Sequence, residues 1–125
     1  MISAKENAKM KINIDIYEKY LAHRYSGWAN EQGLFMKLAV ELGEVAEVLN
    51  MRSGNKSANG ADLSAELSEE LCDMIHYIIA IAAINGIDLS AAIIEKDKRG
   101  SAKYNHDINL EQFIQKEDNK DQKPQ

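Results

Sequence analysis

The feature that most constrains the fold is a segment of more than 20 residues, 62–84, that contains neither glycine nor proline. Its β-branched part, residues 75–84, would also suit a buried strand, but the whole segment is longer than strands usually are. We therefore predict a helix that is capped by Asp62 or Ser64 and stops at Gly86. After Asp73 this helix is apolar around nearly its whole circumference, so it must lie in the middle of a bundle or at a subunit interface.

Four further segments have apolar residues spaced at about 3.6 positions, which is typical of helices. The fold class predicted is therefore all-α, a compact helical bundle of four main helices plus a short C-terminal helix. No strand hairpin, internal repeat or Gly-rich phosphate loop is visible in the sequence. The first of these helices is predicted at about residues 13–25. The second is capped by Asn30 and ends at Ser53 and Gly54, and the third is capped by Asp88 and ends before Gly100. The last helix begins at Asn109, where Gln112 completes a capping box.

A chain of 125 residues with 45% hydrophobic content is long enough for one compact domain and too short to expect two. We place that domain at residues 12–115, between a loosely ordered N-terminal arm (1–11) and a polar, disordered tail (116–125). Within the domain, the run SGNKSANGA at residues 53–61 predicts a solvent-facing loop between the two longest helices.

Charge and cysteine content narrow the class of protein. The net charge of −5, without a concentrated basic patch, disfavours binding to a nucleic acid polymer or to an anionic membrane surface. The longest strongly apolar run, residues 74–84, is far shorter than the roughly 20 residues needed to cross a bilayer. A single cysteine, Cys72, and no signal-peptide pattern favour a cytoplasmic location.

Two pairs of carboxylates interrupt the apolar patterns of the two longest helices. Glu41 and Glu44 are three residues apart, as are Glu70 and Asp73, so each pair shares one helix face. A Glu-x-x-Glu pair alone is usually a solvated flank, but Glu70 and Asp73 directly precede a fully apolar stretch. Residues 45–69 are enough for the chain to leave one helix, turn, and bring the second pair beside the first on a neighbouring antiparallel helix. Four gathered acids would raise one another's pKa unless a cation bound, and an all-oxygen ligand set favours Mg²⁺ or Mn²⁺ over zinc.

Three segments together resemble the MazG-like, all-α nucleoside triphosphate pyrophosphohydrolase family: LAVELGEVAEVLN (38–50), EELCDMIHYIIAIAAINGIDL (69–89) and EKDKRGSAKY (95–104). The resemblance implies a Mg²⁺-dependent enzyme that cleaves a nucleoside triphosphate between its α and β phosphates, as in house-cleaning of the nucleotide pool. It implies a homodimer or a dimer of dimers. Glu41, Glu44, Glu70 and Asp73 fall on the family's Mg²⁺-ligand positions, and Glu41 or Glu44 would also orient or deprotonate the attacking water.

Three other residues are candidates for substrate binding. Lys96 matches a family lysine that contacts phosphate, although cations near a helix C-terminus also serve the helix dipole. Lys37, one turn before Glu41, is an ion-pair partner or a phosphate contact, and the ion pair is the favoured interpretation. Trp28 can stack on a nucleotide base, but a tryptophan at a helix start is more often a packing residue. Glu47 is expected to lie next to the metal ligands without binding the metal itself. His76 is expected to be a packing residue.

Alternative functions follow from the same residues. The chain has Gly100 where many relatives have asparagine, which gives weight to a non-catalytic helical dimer that acts as a nucleotide-binding or interaction module. Phosphoribosyl-ATP pyrophosphatase shares the fold, but nothing in the sequence indicates its substrate. A carboxylate-bridged di-iron bundle needs two Glu-x-x-His motifs, whereas this chain offers only Asp73-x-x-His76.

Overall fold

A computed structural model describes residues 3–54 and 62–122, and within them the chain forms six helices and no strand. The predicted all-α class is therefore confirmed. The helices fall into two compact units, Met1–Ile87 and Asp88–Gln125, which we describe separately. In chain order the helices are α1 (Ala4–Lys9), α2 (Ile14–Tyr25), α3 (Glu31–Arg52), α4 (Leu63–Ile84), α5 (Leu89–Lys103) and α6 (Leu110–Gln122).

Side-chain caps set the starts of the five longer helices. An Asn or Asp oxygen that accepts a backbone N–H satisfies one of the amides that the first helical turn leaves without a partner. The donors and distances are Ile16 N to Asn13 (2.9 Å), Gly33 N to Asn30 (2.7 Å), Ala65 N to Asp62 (3.1 Å), Ala91 N to Asp88 (3.1 Å) and Gln112 N to Asn109 (2.9 Å). The Asn109 N–H donates in return to Gln112 Oε1 at 2.9 Å, which is the predicted capping box.

The helix ends agree with the sequence less closely. After α3 and α4, Gly54 (φ +83°) and Gly86 (φ +66°) adopt the left-handed conformation that a glycine tolerates without strain. Helix α5 instead continues through Gly100 to Lys103, and Asn105 (φ +55°) takes the left-handed position after it. Gly100 is thus an interior helix residue, and its predicted role as the residue after the helix end is wrong.

Both ends of the chain are more helical than expected. The predicted N-terminal arm contains the short helix α1, where the Ser3 N–H donates to Glu6 and the Glu6 N–H donates to Ser3 Oγ. Helix α6 continues to Gln122, beyond the predicted domain limit at 115, because its Glu, Lys and Gln residues are good helix formers even when solvated. Residues 55–61, which are most of the predicted loop at 53–61, and residues 123–125 lie outside the described part of the chain.

Helix α4 is central to the first unit, where it packs against both α3 and α2. Leu21 of α2 and Ala80 of α4 are fully buried there, and Val45 and Val48 of α3 are nearly so. Other apolar residues of α4 are about half exposed: Leu71, Ile75 and Ile78. The single chain therefore buries one side of its most apolar helix and leaves another side accessible.

The second unit consists of α5 packed against α6. The Asp97 carboxylate of α5 accepts a hydrogen bond from the Leu110 N–H at 2.6 Å and so holds the first turn of α6. Lys98 and Glu111 add an ion pair at 2.8 Å between the two helices. Because both of its side chains are about 40% exposed, this ion pair stabilises the unit only weakly.

Length and apolar content argue against a membrane-spanning helix in the described residues. No single helix there is both long enough and apolar enough to cross a membrane. Helices α4 and α5 pass this test only as a bent pair.

Replacement of Leu21 by alanine tests the α2–α4 core. Leu21 has no accessible surface, so Leu21→Ala should lower the free energy of unfolding by about 3 kcal/mol through lost burial and a cavity. Urea unfolding followed by circular dichroism measures the change. Ile12→Ala, at a side chain that is 76% exposed, is the control and should change stability by less than about 0.5 kcal/mol. Equal losses in the two variants would contradict the assignment of Leu21 to the core.

Candidate functional site

The packing of α3 on α4 gathers three carboxylates, which we call the acid cluster: Glu41 and Glu44 from α3 and Glu70 from α4. One carboxylate oxygen from each residue lies within 4.8 Å of the other two. Glu41 and Glu70 are half-buried, and Glu44 is exposed. The pairs on separate helices thus converge through tertiary packing, and the resulting ligand set contains only oxygens.

Two oxygens of the acid cluster are buried without a hydrogen bond. Oε2 of Glu41 and Oε2 of Glu70 have no partner among the described residues. A buried polar atom without a partner costs free energy, and a buried carboxylate costs more than a neutral group. A divalent cation would satisfy these oxygens and balance their charge, so the cluster fits a hard metal ion.

The close approach of the acids changes the protonation of Glu70. Its pKa is raised from 4.5 to about 8, chiefly because its carboxyl group, when protonated, can donate a hydrogen bond to the Glu41 carboxylate or, second, to that of Glu44. Burial and repulsion by the two neighbouring charges act in the same direction. Without a cation, Glu70 therefore keeps its proton at neutral pH.

Asp73, the fourth acid of the sequence pattern, is not brought within this distance. Its side chain is exposed on α4, one turn after Glu70. Its negative charge raises the pKa of His76, but burial of the imidazole and the positive charge of Arg24 together lower that pKa by more. The described geometry accordingly assembles three of the four predicted ligands.

An open groove of about 500 Å³ borders the acid cluster, and we call it the acidic groove. Glu44 and Glu70 lie on its wall, together with Glu66 and Glu69 of α4 and Glu47 of α3. Sequence reasoning did not single out Glu66 and Glu69. Their spacing of four and one residues from Glu70 could have indicated that at least Glu66 shares its face.

A second open groove, of about 400 Å³, lies where α2 ends and α3 begins, and we call it the aromatic groove. Trp28 and Lys37, two of the predicted substrate-binding residues, both line it. Trp28 is 70% exposed, and its Nε1–H donates to the Arg24 carbonyl oxygen at 2.7 Å, which fixes the indole at the groove edge. Tyr25 and Tyr77 add further aromatic surface that sequence reasoning missed.

The third predicted substrate-binding residue, Lys96, belongs to the second unit. It lines an open groove of about 340 Å³ together with Gly100 and His106. A Cβ atom added at Gly100 would meet no other atom within 4 Å, so a larger residue fits at this position. The neighbouring cations are paired within the unit, Lys98 with Glu111 at 2.8 Å and Arg99 with Glu95 at 3.5 Å.

Comparisons with known proteins agree with this fold. No family model matches the chain. Mouse dCTP pyrophosphatase 1 is 29% identical in an alignment of 93 residues that covers 71% of this chain and 55% of that protein. The crystal structure of iMazG from Vibrio DAT 722 matches with a TM-score of 0.57 and 25% identity, over 76% of this chain and all of that one. The fold of this chain is MazG-like.

The resemblance noted in the sequence is thereby supported on two independent grounds. Both the curated relative and the structural neighbour point to the all-helical nucleoside triphosphate pyrophosphohydrolase family. The chain spans about half the length of the curated relative.

The raised pKa of Glu70 predicts that metal binding depends on pH. A cation must displace the Glu70 proton, so Mg²⁺ or Mn²⁺ should bind more tightly as pH rises from 6 toward about 8, with release of about one proton near pH 7. Titration calorimetry in two buffers of different ionisation enthalpy measures that proton. Glu70→Gln should abolish the release, and Glu69→Gln, at an exposed neighbour outside the acid cluster, should retain it. Metal binding by the unaltered protein without proton release would contradict this prediction.

The raised pKa of Glu70 also affects the stability of the metal-free protein, which should fall as pH rises. The folded state holds the Glu70 proton up to about pH 8, whereas the unfolded chain releases it near 4.5. Stability of the metal-free protein should therefore decline as pH rises between these values.

Proposed function

We propose that this chain is a Mg²⁺-dependent nucleoside triphosphate pyrophosphohydrolase that converts an NTP or dNTP to the monophosphate and pyrophosphate, in house-cleaning of the nucleotide pool. The acid cluster, with two buried oxygens that have no partner among the described residues, is the observation that carries the proposal. The similarity to a dCTP pyrophosphatase and to iMazG supports the reaction class.

The acids of α3 and α4 take different roles in the proposed reaction. Glu41, Glu44 and Glu70 would hold the cation, and Asp73 is the proposed fourth ligand because it follows Glu70 by one helical turn on α4. Bound Mg²⁺, or Mn²⁺ in its place, supplies neutralisation of phosphate charge and a lower pKa for a bound water. Glu44, the most exposed member of the cluster, or Glu41 accepts the proton of the attacking water.

The aromatic groove is the proposed site for the nucleoside. Lys37 lines this groove and precedes Glu41 by four residues on α3, which corresponds to about 6 Å along the helix. A base stacked on the exposed Trp28 would therefore place the phosphates beside Lys37 and near the acid cluster. Lys37 and Arg24 supply positive charge for the phosphates, and Lys96 is proposed as a further phosphate contact.

Exposed apolar side chains support a homodimer or a dimer of dimers. Eleven large hydrophobic residues of α2 to α4 are 43% exposed or more: Ile16, Tyr20, Phe35, Met36, Val40, Leu42, Leu49, Leu71, Ile75, Ile78 and, just before α3, Trp28. Apolar surface of this extent on one unit of a small protein is typical of an interface between subunits. Light scattering coupled to gel filtration measures the mass in solution, and a monomer at micromolar concentration would contradict this part of the proposal.

Loss of a single carboxylate tests the proposed reaction. The protein is incubated with Mg²⁺ and a panel of NTPs, dNTPs and damaged nucleotides, and pyrophosphate release is measured directly. Glu41→Gln and Asp73→Asn should each lower kcat/KM about a hundredfold or more, and EDTA should abolish turnover. Glu117→Gln, at an exposed residue of α6 paired with Lys120, is the control and should retain activity.

Two results would contradict the enzymatic proposal. One is the absence of turnover by the unaltered protein on every nucleotide of the panel, and the other is unchanged turnover in both acid variants. If the unaltered protein binds Mg²⁺ and nucleotide without turnover, the non-catalytic nucleotide-binding module becomes the better assignment.

Gly100→Asn tests the departure from the family pattern. A Cβ atom at this position meets nothing within 4 Å beyond its chain neighbours and the local helix backbone, so a side chain can start here, and asparagine is a slightly better helix residue than glycine. If the Lys96 segment contacts phosphate, the added amide should lower KM for the nucleotide about threefold, with stability unchanged or slightly higher. Steady-state kinetics measure the change. Gly100→Ala separates the amide from the effect on the helix, and an equal gain in both variants would contradict a phosphate contact.

A further inference from the structure

His76 of α4 lies between two tyrosines of α2. Its Nε2 is hydrogen-bonded to the Tyr25 hydroxyl at 2.7 Å, and its Nδ1 is 3.4 Å from the Tyr17 hydroxyl. The His76 and Tyr25 rings also meet edge to face, with centroids 5.5 Å apart and an interplanar angle of 84°. Both ring nitrogens of a half-buried histidine are therefore engaged with α2, which is more than its packing requires.

Tyr25 carries this contact to the aromatic groove. It is 7% exposed and lines the groove, and its ring centroid lies 5.4 Å from that of Trp28. The Arg24 guanidinium lies over the Tyr25 ring, 5.4 Å from its centroid. Two groups assigned to nucleotide binding, Trp28 and Arg24, thus rest against a tyrosine whose buried hydroxyl needs a partner.

We infer that His76 is a positioning residue, which holds Tyr25 in place and thereby shapes the groove surface formed by Trp28 and Arg24. This role rests on the proposed function, because it assumes that the aromatic groove takes the nucleoside. His76 acts through Tyr25 and belongs to neither the acid cluster nor the reacting atoms. An apolar residue in its place would fill the space but would leave the Tyr25 hydroxyl without its partner.

The surroundings keep the His76 imidazole neutral. Burial lowers its pKa first, the positive charge of Arg24 lowers it further, and Asp73 opposes both. A neutral ring offers one donor and one acceptor, which suits two hydroxyl groups that can each donate or accept.

Four variants test the inference. His76→Leu removes both hydrogen bonds, Tyr25→Phe removes only the hydroxyl, and the double variant combines them. His76→Gln places an amide near the position of Nε2 and should rescue the contact. His23→Leu, at an exposed histidine of α2, is the matched control. For each variant, kcat and KM are measured with dCTP and Mg²⁺, and unfolding is measured without nucleotide.

His76→Leu and Tyr25→Phe should each raise KM for dCTP about tenfold, equivalent to about 1.4 kcal/mol, and change kcat by less than about twofold. The double variant should be no worse than either single variant, because both remove the same contact. His76→Gln should return KM to within about threefold of the unaltered value, and His23→Leu should not change it. Additive effects, or lower stability with unchanged KM, would overturn the inference.

A measurement without nucleotide separates this inference from the proposed function. Trp28 is the only tryptophan, so the intrinsic fluorescence of the protein reports on the aromatic groove. His76→Leu and Tyr25→Phe should both alter the Trp28 emission maximum or its quenching by acrylamide, and His76→Gln should not. If no nucleotide of the panel is bound or cleaved but this pattern holds, the positioning role stands and the proposed function fails. Unchanged Trp28 fluorescence in both variants would overturn the positioning role itself.

Discussion

The repulsion among three carboxylates held at the α3–α4 contact is the constraint on which the functional part of this molecule depends. Apolar packing of α4 against α3 brings Glu41, Glu44 and Glu70 within 4.8 Å of one another. Without a cation, the cluster is tolerated because Glu70 keeps a proton, as its pKa of about 8 indicates. Folding energy from the apolar core thus maintains an arrangement that a divalent ion would stabilise.

The same helices organise the space around the acids. Helix α3 contributes Lys37 to the aromatic groove and Glu41 to the acid cluster one turn later, so a cation of the groove and an acid of the cluster follow each other on one rigid element. Helix α4 contributes Glu70 to the cluster and, through His76, a hydrogen bond to α2. A site built on packed helices holds its groups more closely than a site built on loops.

Much of the fold could be predicted from local chemistry. The observed N-caps Asn13, Asn30, Asp62, Asp88 and Asn109 lie at the predicted helix starts, because an N-cap involves atoms only three residues apart. Helix ends were less predictable: Gly100 lies inside α5 and α6 extends to Gln122, since a solvated helix of good formers needs no sharp stop signal. The short helix α1 was missed, although Ser3 and Glu6 form a Ser-x-x-Glu capping box that marks a helix start.

For the candidate site, the sequence by itself determined which residue types were present and which shared a helix face. It thereby determined the two acid pairs, the oxygen-only ligand chemistry and the MazG-like resemblance. Only the tertiary structure decided that Glu41, Glu44 and Glu70 converge while Asp73 stays outside the cluster, and that Trp28, Lys37 and Tyr25 line one groove. The physical reason is that spacing along a helix sets direction about its own axis, whereas distances between helices depend on how their apolar faces pack.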